Sequence, residues 1–163
     1  MIRAGVITVS DRSSQGIRED RSGPAIAAML SELGLMVCQS CIVPDEIEPL
    51  AAAMARYADE EKLDLVLTTG GTGVSPRDVT PEATLEIIEK EVPGFAEAMR
   101  AHSMAVTPFA MISRAVAGIR GRCLIINLPG SPKAVRENLA VILPALQHAV
   151  AKIKGDDREC GTP

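Results

Sequence analysis

Apolar and polar positions follow two rhythms along this chain, and each change of rhythm marks a new element. Residues 4–9 (Ala-Gly-Val-Ile-Thr-Val) form a short apolar run closed by Ser10-Asp11, as expected of a buried strand. A polar loop, 10–21, follows. Ser22 then reads as an N-cap with Pro24 in the first helical turn. Ala25, Ile26, Met29, Leu30 and Leu33 recur at helical spacing until Gly34, a residue suited to the C′ position. The same reading predicts a strand at 36–43, a helix at 47–61 with a Leu50, Ala51, Met54, Ala58 stripe, and a strand at 64–69. A helix is predicted at 81–91, a break at Pro93-Gly94, and another helix at about 94–104. Residues 114–120 and 122–127, parted by Gly121, read as two strands. The last helix spans about 132–154, with Pro144 placed to kink or divide it. Strands alternating with helices at this spacing predict βαβ units and a three-layer α/β architecture.

Composition narrows the picture. With 163 residues the expectation is one domain, 1–155, followed by a short flexible tail at 156–163. Apolar residues make up 47% of the chain but Trp is absent, so the core is aliphatic. The net charge of −4 argues against a nucleic-acid or anionic-membrane surface. No apolar run is long enough to span a bilayer, and no signal-peptide pattern opens the chain, which predicts a cytoplasmic location. Cys38 and Cys41 form a C-x-x-C, yet they fall in a predicted strand, where residues three apart point to opposite faces. With Cys123 and Cys160 isolated, the cysteines read as core filling. His102 and His148 lie in helical patterns without a partner signature.

Residues 65–84, LVLTTGGTGVSPRDVTPEAT, carry the strongest chemical signal. An apolar strand runs into a glycine loop, then into an Arg77-Asp78 pair that reads as buried and a helix start at Thr80-Pro81-Glu82. Glycines between a strand and a helix N-terminus can turn bare amides toward an anion. The loop fails the Walker A pattern, because no Lys-Ser/Thr follows, and fails G-x-G-x-x-G at Pro76. Phosphate would have to be held another way. In open α/β sheets, ligands bind outside the carboxyl ends of strands. Ser10-Asp11, the glycine loop and the Pro129–Pro132 turn all lie at such ends.

The run Thr68–Gly73 with Pro76–Thr84 resembles the signature of the MogA/MoaB family, whose domain also occurs in plant Cnx and animal gephyrin proteins. Thr8–Asp11, Asp20–Pro24, Val43–Glu46, Thr107–Arg114, Asn127–Pro132, Leu143–Leu146 and Lys154–Asp156 match in the same order. The resemblance covers nearly the whole chain. It implies a mostly parallel central sheet with one antiparallel strand, and a place in molybdenum cofactor biosynthesis. The active branch of the family adenylylates molybdopterin with MgATP, releasing pyrophosphate. Asp45 and Asp78 match its catalytic pair and would bind Mg²⁺. Ser10, Asp11, Ser22, Gly23, Gly70, Gly71, Thr72, Gly73, Thr80, Pro129, Gly130, Ser131 and Pro132 would line the nucleotide and pterin sites. Ser113 and Arg114 match the pterin side, where the Arg would address the terminal phosphate. Family members are typically homotrimers, and a molybdenum insertase is an expected partner. The charge-poor stretch 104–112 suits either the interior or an interface.

Structural readings of the same residues remain open at this level. Asp45 also fits as the cap of the following helix, and Asp78 as the partner of Arg77 or as a brace of the loop. A MoaB-like binder without adenylyltransferase activity is the alternative function. A peptide-docking scaffold and a C-x-x-C oxidoreductase stand behind it.

Overall fold

Six strands form one sheet in the computed structural model, which describes residues 1–158. In chain order the elements are β1 (Arg3–Val9), α1 (Asp11–Ser14), α2 (Ser22–Glu32), β2 (Met36–Val43), α3 (Ile47–Asp59), β3 (Leu65–Thr69) and α4 (Thr80–Ile87). Then come β4 (Lys90–Glu91), α5 (Pro93–Met104), a 3₁₀ turn (Pro108–Ile112), β5 (Ala117–Arg120), β6 (Cys123–Leu128) and α6 (Pro132–Ile153). The strand order is β2-β1-β3-β6-β5-β4. β1, β2, β3 and β6 pair in parallel, and β5 runs opposite to both of its neighbours. The expected single antiparallel strand is therefore β5.

Side-chain alternation along the central strands builds the three layers. Ala4 and Val6, Leu65 and Leu67, and Leu124, Ile126 and Leu128 face one side, packed under α2, α5 and α6. Ile7, Val9, Val66, Cys123 and Ile125 face the other side, under α3 and α4. Strands buried on both faces need apolar residues at every position, which is why they read as unbroken runs. The chain reverses direction across the sheet at β1, since β2 lies to one side and β3 to the other. The crevice above the C-terminal ends of β1 and β3 is thus the topological switch point where ligands gather in open α/β sheets.

Several expectations are corrected. The loop at 10–21 contains α1. Arg21, not Ser22, occupies the N-cap position of α2, and Asp20 Oδ1 accepts from the Ser22 and Gly23 amides, both at 3.0 Å. The helix predicted to reach residue 91 ends at Ile87, because Lys90 and Glu91 pair with β5. Pro144 does not divide α6, which is continuous from Pro132 to Ile153. Cys38 and Cys41 do not point to opposite faces. A register shift in β2, where Ala4 pairs with Val37 but Gly5 with Gln39, turns both toward the α3 side. Of the predicted tail, Asp156 is tied back by Lys152 Nζ, which donates to its carbonyl at 3.1 Å. Cys160 and the other residues of 159–163 lie outside the described residues. Among those residues, no helix is long and apolar enough to cross a membrane.

Candidate active site

Four loops at the C-terminal ends of β1, β2, β3 and β6 are stitched into one platform. The Gly70 amide donates to the Leu128 carbonyl at 3.2 Å, and Thr69 Oγ1 donates to the Pro129 carbonyl at 2.7 Å. Ser22 Oγ adds a bond to the Gly130 carbonyl at 2.7 Å, joining the start of α2 to the same turn. Two glycines are demanded by close approach. Gly70 has φ +100, and a Cβ there would stand 2.3 Å from the Val9 carbonyl oxygen. Gly71 has φ +65, and its Cβ would meet Thr80 Oγ1 at 2.4 Å and Asp45 Oδ1 at 3.3 Å. These glycines therefore admit neighbouring polar groups, whatever else they admit.

The two predicted aspartates meet the loop at its two ends. Asp45 Oδ1 approaches Gly71, and Asp78 Oδ2 stands 2.8 Å from where a Gly73 Cβ would be. Each is anchored through one oxygen. Asp45 Oδ2 accepts from the Asp11 amide at 2.8 Å, and Asp78 Oδ2 accepts from the Ser75 amide at 2.8 Å. Neither Oδ1 takes part in a hydrogen bond among the described residues. Asp45 does not cap α3, whose N-cap position is held by Glu46 without a side-chain bond. Asp78 does not pair with Arg77. Arg77 is exposed rather than buried, and it forms a fork with Asp11 at 2.8 and 3.0 Å. Burial raises the Asp45 pKa above the usual carboxylate range, assisted by the charges of Asp11 and Asp78, against the Asp11 amide and Arg77. Asp11 moves the other way, lowered chiefly by the Asp45 amide and then by Arg77.

Two cavities share this platform. A polar one of about 460 Å³ is lined by Ser10, Asp20, Ser22, Gly70 and the Gly130–Pro132 turn. A largely apolar one of about 270 Å³ takes Thr72, Gly73, Ser113 and Pro129, with Phe109 and Arg100 on its wall. Asp11, Asp45 and Asp78 line neither; they stand against the loop itself. Thr80 is fully buried beneath the loop, donating Oγ1 to the Gly70 carbonyl at 2.8 Å. Gly23 faces a separate groove of about 430 Å³ beside β2, and its Cβ position is 2.5 Å from Asp20 Oδ2.

Arg114 is anchored to the glycine loop. Its Nε donates to the Gly73 carbonyl and its Nη2 to the Asp78 carbonyl, each at 2.7 Å, while Nη1 pairs with Glu82. Its amide also donates to the Thr72 carbonyl at 2.8 Å. It spans the loop from Thr72 to Asp78. Sequence reasoning missed Asp20 and Arg100. The Asp-x-Ser-Gly spacing at 20–23 was a legible signal for the first, since Asp two residues before a helix offers its oxygen to the first amides. Arg100 carried no local signal.

Residues 5–148 match the family described as a probable molybdopterin binding domain. The chain belongs to this family. A relative in Helicobacter pylori strain J99, named molybdopterin adenylyltransferase, is 46% identical over 95% of this chain and 89% of its own. Gephyrin of Dictyostelium discoideum is 48% identical over 91% of this chain, which spans only 22% of that protein. Among solved structures, the molybdopterin biosynthesis enzyme MoaB of Thermus thermophilus superposes with a TM-score of 0.90 at 49% identity. That match covers 95% of this chain and 98% of the other. Family membership places the chain in molybdenum cofactor biosynthesis.

Proposed function

We propose that this chain is a MgATP-dependent molybdopterin adenylyltransferase. The observation that carries the reading is the pair of carboxylates at the glycine loop. Asp45 and Asp78 each have one oxygen fixed by a backbone amide and one uncommitted. In the reaction, an oxygen of the molybdopterin terminal phosphate attacks the α-phosphorus of ATP. The bond from that phosphorus to the β-bridging oxygen breaks, and pyrophosphate leaves.

Such transfer asks for positioning and charge neutralisation more than covalent help. A bare carboxylate about 4 Å from a phosphate oxygen is repelled by roughly 4 kcal/mol at an effective dielectric of 20. Two of them beside ATP fit a site completed by a cation. Among the described residues no group of three or more His, Cys, Asp or Glu could hold a metal alone. Two hard oxygen donors with no further protein ligand suit Mg²⁺, which keeps waters and takes phosphate oxygens. Bound there, the ion would supply charge neutralisation to the polyphosphate.

The remaining roles follow from the cavities. The polar cavity suits the nucleotide, with Ser10, Ser22 and the Gly130–Pro132 turn as donors and walls. The apolar one suits the flat pterin, with Thr72, Gly73 and Ser113 at its polar end. Arg114 braces the loop, because its donors are directed to loop carbonyls and Glu82. Thr80 supports the loop from below. Phe109, Met111 and Ile112 are 77%, 64% and 51% exposed, a patch that fits coverage by another subunit of a homotrimer. A molybdenum insertase would take the product, in the cytoplasm where ATP is supplied.

A reconstituted assay tests the reading. Pyrophosphate should form only when ATP, molybdopterin and Mg²⁺ are all present. Tight pterin binding without ATP consumption would instead establish the binding-only function.

A further inference from the structure

Arg77 has no part in the chemistry above, yet its setting is specific. It lies on the loop after β3 with its side chain 58% exposed, and its guanidinium is held in a fork. Nε donates to Asp11 Oδ2 at 3.0 Å and Nη2 to Asp11 Oδ1 at 2.8 Å. Exposed ion pairs contribute little to stability, so the fold alone does not account for it. Asp11 points to another purpose. Its carboxylate also accepts from the Asp45 amide at 2.9 Å, and its own amide donates to Asp45 Oδ2 at 2.8 Å. A continuous chain of bonds thus joins the loops leaving β3, β1 and β2, and it ends on Asp45.

We propose that Arg77 is the positioning residue for Asp45, acting through Asp11. The proposal rests on the two-carboxylate reading of the site. A planar guanidinium fork sets the plane of the carboxylate it grips, which a single point charge does not do. With the Asp11 carboxylate fixed, its Oδ1 meets the Asp45 amide in one geometry, and the reciprocal bond holds Asp45 Oδ2. Oδ1 of Asp45 is then the oxygen left facing Gly71. Losing the fork lets the β1 and β2 loops move relative to the glycine loop, and misplacement of about 1 Å near reacting groups can cost on the order of 10²-fold in rate.

The experiment compares Arg77→Gln, Asp11→Asn and the double variant with the unaltered protein, using two readouts. Amide hydrogen exchange followed by NMR needs no turnover. The Asp11 and Asp45 amides should exchange about tenfold faster in Arg77→Gln, with Val66 in β3 unchanged. In pyrophosphate release, kcat should fall at least about tenfold while KM for ATP stays within about threefold, and the double variant should be no worse than the poorer single one. Unchanged exchange at Asp11 and Asp45 overturns the proposal. So does a raised KM for ATP at constant kcat with effects that multiply in the double variant, which would mean that Arg77 grips the polyphosphate itself. If the unaltered protein releases no pyrophosphate, the adenylyltransferase reading fails, while the exchange measurement still decides whether Arg77 positions Asp45.

Discussion

Asp64 and Asp45 lie at opposite edges of the same sheet, and the contrast between them separates a carboxylate that holds the fold from one that is held by it. Asp64, at the N-terminal edge, is fully engaged. Oδ2 accepts from the Arg3 amide at 2.9 Å and Oδ1 from Lys154 Nζ at 2.7 Å. Burial alone would raise its pKa, but the Arg3 amide and Lys154 together outweigh it and the net shift is downward. Asp45, at the C-terminal edge, has one oxygen engaged; burial raises its pKa, and the like charges of Asp11 and Asp78 add to the rise. Folds satisfy buried polar groups where nothing else needs them. On the proposed function, the Asp45 oxygen that carries no hydrogen bond, beside the glycine loop and near the charges of Asp11 and Asp78, is the one offered to the ion.

The largest effect expected from breaking this contrast is on rate. Asp45→Ala and Asp78→Ala should each lower pyrophosphate release on the order of 10²–10³-fold, measured per folded molecule. Next comes backbone geometry. Gly70→Ala places a Cβ against the Val9 carbonyl, whereas Gly121→Ala at φ +55 meets nothing within 4 Å. Thermal or urea unfolding should show a loss of about 1 kcal/mol for Gly121→Ala and clearly more for Gly70→Ala. Equal losses would mean that the platform yields more readily than its contacts suggest.

The fold was largely legible because β1, β3 and β6 are buried on both faces and betray themselves as apolar runs. β4 was not, since two exposed charged residues at a sheet edge, Lys90 and Glu91, look like the end of a helix. The Cys38–Cys41 orientation depended on a bulge, which strict alternation cannot foresee. At the site, the aspartates and glycines were visible by motif, but their partners were not. The Arg77–Asp11–Asp45 chain spans 66 residues and exists only because β2, β1 and β3 are neighbours. Arg114 makes the same point: its motif names the residue without showing that the Gly73 and Asp78 carbonyls and Glu82 accept from it.

Smaller effects follow. Asp64→Asn should cost about 1–3 kcal/mol at neutral pH, the range for disturbing a charged, buried hydrogen-bonding group, with activity per folded molecule unchanged. The pH dependence has a definite sign. A folded-state pKa below 3.8 gives stability that is present above that value and lost as pH falls through the folded pKa, so the deficit of Asp64→Asn should shrink below about pH 3.8. Least of all, the Cys38→Ser, Cys41→Ser double variant should keep its rate within about twofold, since both thiols only pack at the margin of the core.

Asp45→Asn and Asp64→Asn, measured side by side for pyrophosphate release with Mg²⁺ present and, separately, for Tm in metal-free buffer, test the central claim most directly. The account predicts a crossed result. Asp45→Asn keeps or raises Tm, because a partly buried like charge is removed, and loses most of the rate; Asp64→Asn lowers Tm and keeps the rate. Wild-type turnover by Asp45→Asn with its fold intact would contradict the account.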